Sequence, residues 1–403
     1  MSGAHLACFF LSWAAASDGR SPRFFAVIGR LRIGWVGWLG WLLAFSAPAQ
    51  ELNATLGESV LQVPSGGLTE PELEVTVYRP PGDGPFPILL VNHGRAPGDA
   101  KLQSRYRPVL VAAEFVQRGW AVVVPMRQGF SKSGGREITG GCNVASNGEQ
   151  QARSVRRTLD WLGVQPWADV SRNVVAGQSH GGLTTLAYGQ APHPGTRLLL
   201  NFAGGLRQDS CTAWQRGLVV AIGDYGRATR LPSIWFYGDN DSFFAPNVWQ
   251  EAHQRYVDAG GRAELVAFGL FGSDSHAMFG SRAGLPIWLP KVIAALDAAG
   301  LPTRVLHPAV MTSDVPAPPA SGFAQVGDLD RLPIRGDRAR QGYQAWLAAD
   351  GPKAFAIHAI KGQWASAWGG DRPLLRALQR CERGAQQPCR LYAVDDQVVW
   401  APE

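Results

Sequence analysis

From residue 72 to about residue 300 the chain alternates short, almost unbroken apolar runs with longer stretches whose apolar residues recur every three to four positions. Runs of the first kind suit strands buried on both faces, and stretches of the second kind suit helices with one apolar stripe. The pattern predicts strands over 74–78, 87–91, 120–125, 173–176, 197–202, 233–237 and 263–268. Between them it predicts helices over 104–118, 148–162, 182–190, 246–259 and 285–299. Strands alternating with helices in this way give an α/β domain, a mostly parallel sheet flanked by helices. Ligands of such a sheet bind beyond the carboxyl ends of its strands, so a catalytic residue is expected just after a strand.

Near residue 301 the alternation stops. Pro302, Pro308 and the run DVPAPPASG over 314–322 mark a Pro- and Ala-rich linker over 301–325 with little capacity to pack. Residues 326–403 then read as a small α+β C-terminal module: a helix over 341–349, a strand over 353–360, a helix over 373–383 and a hairpin over 389–400 with Asp395 and Asp396 at its turn. At the other end, residues 20–32 are basic, residues 33–45 are almost purely apolar, and Ala47, Pro48 and Ala49 give a small-x-small pattern. These features define a signal peptide over 1–49, since the apolar run falls short of the ~20 residues that cross a bilayer. A secreted or periplasmic protein with no stable membrane span after cleavage is therefore expected, with the catalytic domain over 50–300.

Cleavage removes Cys8 and leaves Cys142, Cys211, Cys381 and Cys389, an even number suited to an oxidising compartment. Pairing Cys142 with Cys211 and Cys381 with Cys389 keeps each bridge inside one domain. The first would clamp the loop after residue 130 to the helix that follows residues 201–205. The second would support a module with a modest core. No CxxC or HxxxH spacing is present, so no metal site is expected. The formal charge is +6, but Arg20, Arg23, Arg30 and Arg32 against Asp18 place half of it in the leader. Without a basic patch interleaved with aromatics downstream, nucleic acid is not an expected partner.

The predicted strand 173–176 runs directly into Gly177, Gln178, Ser179, His180 and Gly181, a G-x-S-x-G run followed at once by a helical pattern. That is the arrangement of a nucleophile elbow, in which a sharp strand-to-helix turn projects the serine hydroxyl over a helix amino terminus. A serine needs a base, and the base needs an orienting acid. The chain order of this architecture is serine, acid, histidine. After the strand 233–237 come Gly238, Asp239, Asn240 and Asp241; after 263–268 comes a loop holding His276. Asp241 is the expected acid and His276 the expected base. Asp239 is the competitor, with hydrogen bonding of its own turn as its plainer role. His253, His193 and His307 read as surface residues, and Asp274 as a solvated loop residue. The oxyanion hole would use the backbone N–H of His180 and that of Arg95, with Gly94 as the nearby alternative, because Asn92, His93, Gly94 and Arg95 follow an early strand.

With these residues in place the chain resembles an α/β-hydrolase, in the style of dienelactone-hydrolase-like serine esterases, with similarity also to prolyl-oligopeptidase-like peptidases. The resemblance covers roughly residues 70–300 and is carried by His93-Gly94, GQSHGG over 177–182, YGDND over 237–241 and SDSHAMF over 273–279. Dienelactone hydrolases proper use a cysteine nucleophile, so Ser179 favours ordinary carboxylic esters. Arg127 and Phe130 follow a strand and are expected near the pocket rim, where Arg127 either grips a substrate carboxylate or pairs with an acid. Trp214, Phe243 and Phe244 are expected to form an apolar pocket or to pack in the core. Neither a phosphate loop nor an HExxH helix nor a dinucleotide fingerprint occurs, so no cofactor is implied.

The expected activity is hydrolysis of a small-molecule or polymer carboxylic ester through an acyl-enzyme. Two alternatives stand beside it. One is a serine peptidase. The other is an envelope- or polymer-binding protein whose module, with Trp364 and Trp368 four residues apart, presents an aromatic face to an unknown ligand.

Overall fold

The computed structural model describes residues 52–67, 70–139, 142–308, 315–349, 352–368 and 372–402. The predicted signal peptide lies outside them.

Among the described residues an eight-stranded sheet holds β1 (Ser59–Val63), β2 (Leu73–Tyr78), β3 (Phe86–Asn92), β4 (Ala121–Pro125), β5 (Ala168–Gln178), β6 (Thr196–Phe202), β7 (Pro232–Tyr237) and β8 (Arg262–Ala267). Its order is β1-β2-β4-β3-β5-β6-β7-β8. β2 runs antiparallel to both neighbours, while β3 pairs in parallel with β4 and β5, and the ladder stays parallel to β8. Every strand that the apolar runs predicted is present; those inside the sheet are covered on both faces, while β8, at the sheet's edge, is only half-buried. Ile88 and Leu90 point to one side, packing with α2 (Val144–Leu162), α3 (His180–Tyr188), α4 (Trp214–Ala228) and α5 (Pro246–Asp258). Leu89 and Val91 point to the other, under α1 (Val109–Val116) and α6 (Leu285–Ala298). This alternation is the two-residue period of a strand expressed in a three-layer packing.

Several boundaries differ from expectation for local reasons. The helix expected over 104–118 is only Val109–Val116, because Pro108 drives the residue before it out of the helical region. Residues 104–107 are left free to line a cavity. α2 starts four residues early, where the Asn143 side chain accepts the Ser146 N–H at 3.1 Å as an amino-terminal cap.

The second sheet runs in the order β10-β9-β11-β12, all antiparallel, from β9 (Lys353–His358), β10 (Gln363–Trp368), β11 (Arg390–Val394) and β12 (Gln397–Val398). One of its faces carries α8 (Pro373–Ala385) and the other α7 (Asp337–Leu347). Cys142 is bonded to Cys211, and Cys381 to Cys389.

The Pro- and Ala-rich stretch is better packed than its composition suggests. Leu301 is buried in the core on one face of the large sheet, the Trp120 indole donates to the Pro302 carbonyl at 2.9 Å, and Leu306 N–H donates to Gln117 at 2.8 Å. Beyond it, Ser321 N–H donates to the Val398 carbonyl at 2.9 Å and Phe323 meets Trp400 edge-on. Prolines lack an N–H but keep a good carbonyl acceptor, so such a stretch can be fastened by donors from its neighbours.

Candidate active site

β5 ends at Gln178 and α3 begins at His180, so a single residue, Ser179, makes the turn, with φ 56° and ψ −125°. A non-glycine residue in that region carries strain of about 1–3 kcal/mol. The strain is held by four backbone bonds: Ser179 N–H donates to Phe202, while its carbonyl accepts from Gly182, Leu183 and Gly205. The flanking glycines are dictated by space. A Cβ on Gly177 would lie 2.1 Å from the Gly181 oxygen, and one on Gly181 would lie 2.1 Å from the Asn92 oxygen.

His276 sits on the loop after β8, and its Nδ1 lies 2.9 Å and 3.1 Å from the two carboxylate oxygens of Asp241, on the loop after β7. The Asp241 side chain is fully buried and also accepts the N–H groups of Phe243 and Phe244 at 2.8 Å and 2.9 Å. A carboxylate accepts only, so Nδ1 carries the proton and Nε2 is left as the basic nitrogen. Asp239 is exposed and not paired with His276; its N–H closes the turn to Gly269. Ser179 and His276 line the same cavity of about 650 Å³. Among the described residues no hydrogen bond joins them directly; serine–histidine contacts in hydrolases are often long in the absence of substrate. The Gln178 amide donates to the His276 carbonyl at 2.7 Å and ties the elbow to the histidine loop.

Asp274 is not simply solvated. It accepts the His276 N–H at 2.9 Å, the Ser242 N–H at 3.1 Å and the Ser242 hydroxyl at 2.5 Å, so it laces the loops that carry Asp241 and His276 together. Partial burial pushes its carboxyl up, but those donors outweigh it and hold it below the ordinary range.

Around the expected oxyanion hole the structure departs from the sequence reading. Arg127 is 1% exposed and does not line the cavity, and among the described residues it is paired with no acid. Its N–H donates to His93 Nε2 at 2.9 Å, His93 Nδ1 donates in turn to the Gly94 carbonyl at 2.7 Å, and the Arg127 guanidinium donates to that carbonyl at 3.0 Å. A trans peptide points its N–H opposite to its C=O. With the Gly94 carbonyl held inward by two donors, the Arg95 N–H faces the opposite way. Gly94 and Arg95 both line the cavity, and a Cβ on Gly94 would fall 3.3 Å from Ser179 Cβ. Burial lowers the Arg127 guanidinium to about 9, with Glu137 opposing and Arg95 reinforcing the shift. Burial also pushes His93 and His180 well below the ordinary histidine range, and the Arg127 charge adds to both shifts. Neutral His180 donates from Nε2 to the Asn147 side-chain oxygen at 2.6 Å.

Of the aromatics expected in the pocket, Phe243 lines it, with its ring 4.5 Å from that of His276. Phe130 is fully buried, edge-on under His93 and beneath the Arg127 guanidinium. Phe244 is buried behind His276, and Trp214 packs edge-on against it at 6.3 Å outside the cavity. Trp364 and Trp368 share a face of β10 but do not form a joint aromatic surface: Trp364 stacks on Phe355 at 5.2 Å, while Trp368 lines the cavity. Sequence reading missed Arg105, Tyr106 and Trp368 as lining residues. Pro108, which excludes residues 104–107 from the helix, was the available signal for the first two.

Strand order, the antiparallel second strand and the serine turn after the fifth strand give this chain the α/β-hydrolase fold. Residues 70–235 match the model of the X-Pro dipeptidyl-peptidase (S15) family. Comparison with curated proteins gave no match. Among solved structures, an esterase from Pyrococcus furiosus is 15% identical with a TM-score of 0.44, the match covering 62% of this chain and 98% of that one. An acetyl xylan esterase from Paenibacillus sp. R4 is 17% identical at TM-score 0.43, over 60% of this chain and 89% of that one. A dipeptidyl peptidase 4 from Porphyromonas gingivalis is 15% identical at TM-score 0.45, over 60% of this chain but 35% of its own length.

Proposed function

We propose that the protein is an exported serine hydrolase that cleaves a carboxylic ester through Ser179, His276 and Asp241. His276 Nε2 takes the proton of Ser179 as its oxygen attacks the ester carbonyl, and Asp241 steadies the imidazolium that forms. The N–H groups of His180 and Arg95 receive the oxyanion. His276 returns the proton to the leaving alcohol, and water then releases the acyl group by the same steps in reverse order. The observation that carries this reading is the buried Asp241–His276 pair at 2.9 Å, sharing a cavity with a serine at φ 56°. The two disulfides support export.

The match to a dipeptidyl-peptidase family model favours a second reading, cleavage of a peptide from its amino terminus. Such a substrate brings an ammonium group into the site. Among the described residues lining the cavity there is no carboxylate to receive it, whereas Arg95, Arg105 and Arg107 are present. This charge pattern supports the ester reading. The test is a paired assay with p-nitrophenyl acyl esters and Xaa-Pro p-nitroanilides. Ester turnover at least a hundredfold the faster is expected, and turnover of the anilides at the ester rate would overturn the preference.

A further inference from the structure

The C-terminal layer supplies part of the cavity in which Ser179 lies: Ala348, Ala349 and Trp368 line it together with Phe243 and the hydrolase loops. Trp368 ends β10 with 38% of its surface exposed, although an indole is among the side chains most stabilised by burial. Its neighbour on the same strand face, Trp364, is covered by α7 so closely that a Cβ on Gly342 would overlap its ring. The cover runs out where α7 ends at Leu347, and the two residues that follow are alanines. One indole on this face is therefore packed and the next stands open over the cavity.

The open wall is held in place. Lys353 Nζ donates to the carbonyls of Leu347 and Ala349, both at 2.7 Å, and lies over the Trp346 ring at 5.0 Å. The Trp368 carbonyl accepts from Arg376 at 3.2 Å. Arg282, six residues beyond His276, reaches to 3.8 Å of Asp395, whose carboxylate also accepts the Lys353 N–H at 2.8 Å. A continuous chain of contacts thus joins the histidine loop to Ala349.

We infer that the C-terminal layer is a specificity element of the hydrolase, and that Trp368, with Ala348 and Ala349 beside it, receives a ring-sized apolar group of the ester substrate. The inference rests on Ser179 being the nucleophile. A cavity of about 650 Å³ accommodates such a group. Small alanines leave the room, the indole supplies contact area and Phe243 offers a second apolar surface next to His276. The arginine-bearing segment 95–107 forms the polar remainder.

The test uses the full chain and two pairs of esters, methyl acetate against methyl phenylacetate and methyl acetate against 2-naphthyl acetate, which place the ring on the acyl or the alcohol half. Trp368→Ala is expected to lower the kcat/KM ratio of the ring-bearing to the small ester at least tenfold in one pair. Ala349→Trp, which fills the room, is expected to lower the same ratio. Trp368→Phe is expected to keep that ratio within about threefold of the wild type. Ratios unchanged in Trp368→Ala and Ala349→Trp, or raised in Trp368→Ala, would overturn the inference. Labelling of Ser179 by a small ethyl fluorophosphonate in each variant reports a folded site. A wild-type protein that does not label at all would defeat the hydrolase reading itself, and the inference with it.

Discussion

At the residue scale, the least expected group is Arg127. A buried guanidinium whose Nε and Nη1 meet no partner among the described residues is costly, and it persists here with one donor on the Gly94 carbonyl. If that contact aims the Arg95 N–H at the oxyanion, Arg127→Ala lowers kcat by roughly 10–100-fold with KM little changed, since the hole acts mainly in the transition state. Arg127→Lys, which can still reach a carbonyl with one donor, recovers part of the loss. Steady-state kinetics of the three forms check this, and a loss seen in KM alone contradicts it. The two buried histidines carry a second prediction. His93 and His180 have folded values well below 6.5, so the unfolded chain binds their protons first as pH falls. Their neutral burial is fully compatible with folding above pH ~7 and costs stability below about 6.5, by up to ~1.4 kcal/mol per pH unit for each histidine. Urea unfolding between pH 7 and 5 should show that decline, and His180→Asn should show a shallower one. The side-chain partners of the arginine and of the two histidines could not be read from the sequence. An arginine after a strand reads as a rim residue, and only the fold reveals that its own N–H is turned onto His93.

At the element scale, the central strands were legible because burial on both faces writes a continuous apolar run. β1 was not, because it is an edge strand whose burial alternates and whose residues are partly polar. β10 escaped notice because it is rich in alanine and holds a serine between its tryptophans. The elbow was legible in full: strand, glycines, serine and helix are contiguous in sequence, and the two loops bearing Asp241 and His276 each follow a strand. What joins those loops, Asp274 to Ser242 and Gln178 to the His276 carbonyl, spans 32 and 98 residues and leaves no local trace. The Cys142–Cys211 bridge closes a loop of 69 residues just ahead of α2 and α4. The chain-entropy account gives such a bridge about 4 kcal/mol. The Cys142→Ser/Cys211→Ser variant should lose roughly 2–4 kcal/mol in chemical denaturation, with the Cys381–Cys389 bridge intact.

At the scale of the whole molecule, the segment over 301–325 and the small sheet behind it change meaning once their contacts are known. A stretch read as a spacer is fastened at Pro302 and at Ser321, and a module read as separate contributes a wall to the cavity. Tertiary placement of this kind has no periodicity to betray it. The cavity itself carries a charge bias. Among the described residues Glu137 pairs with Arg95 and the single carboxylate of Glu58 is shared by Arg105 and Arg107, so three arginines meet two carboxylates. A cationic ester such as acetylthiocholine should therefore be hydrolysed roughly 3–10-fold more slowly than its neutral isostere, and the gap should narrow as salt is added. Equal rates at low salt would contradict that reading of the cavity. The central claim is that Ser179 attacks the substrate, and it is tested most directly by mass spectrometry of the protein after reaction with a fluorophosphonate. The account predicts one adduct, on the peptide containing Ser179, with loss of esterase activity in proportion to labelling. An adduct on any other residue, or undiminished turnover by Ser179→Ala, would contradict it.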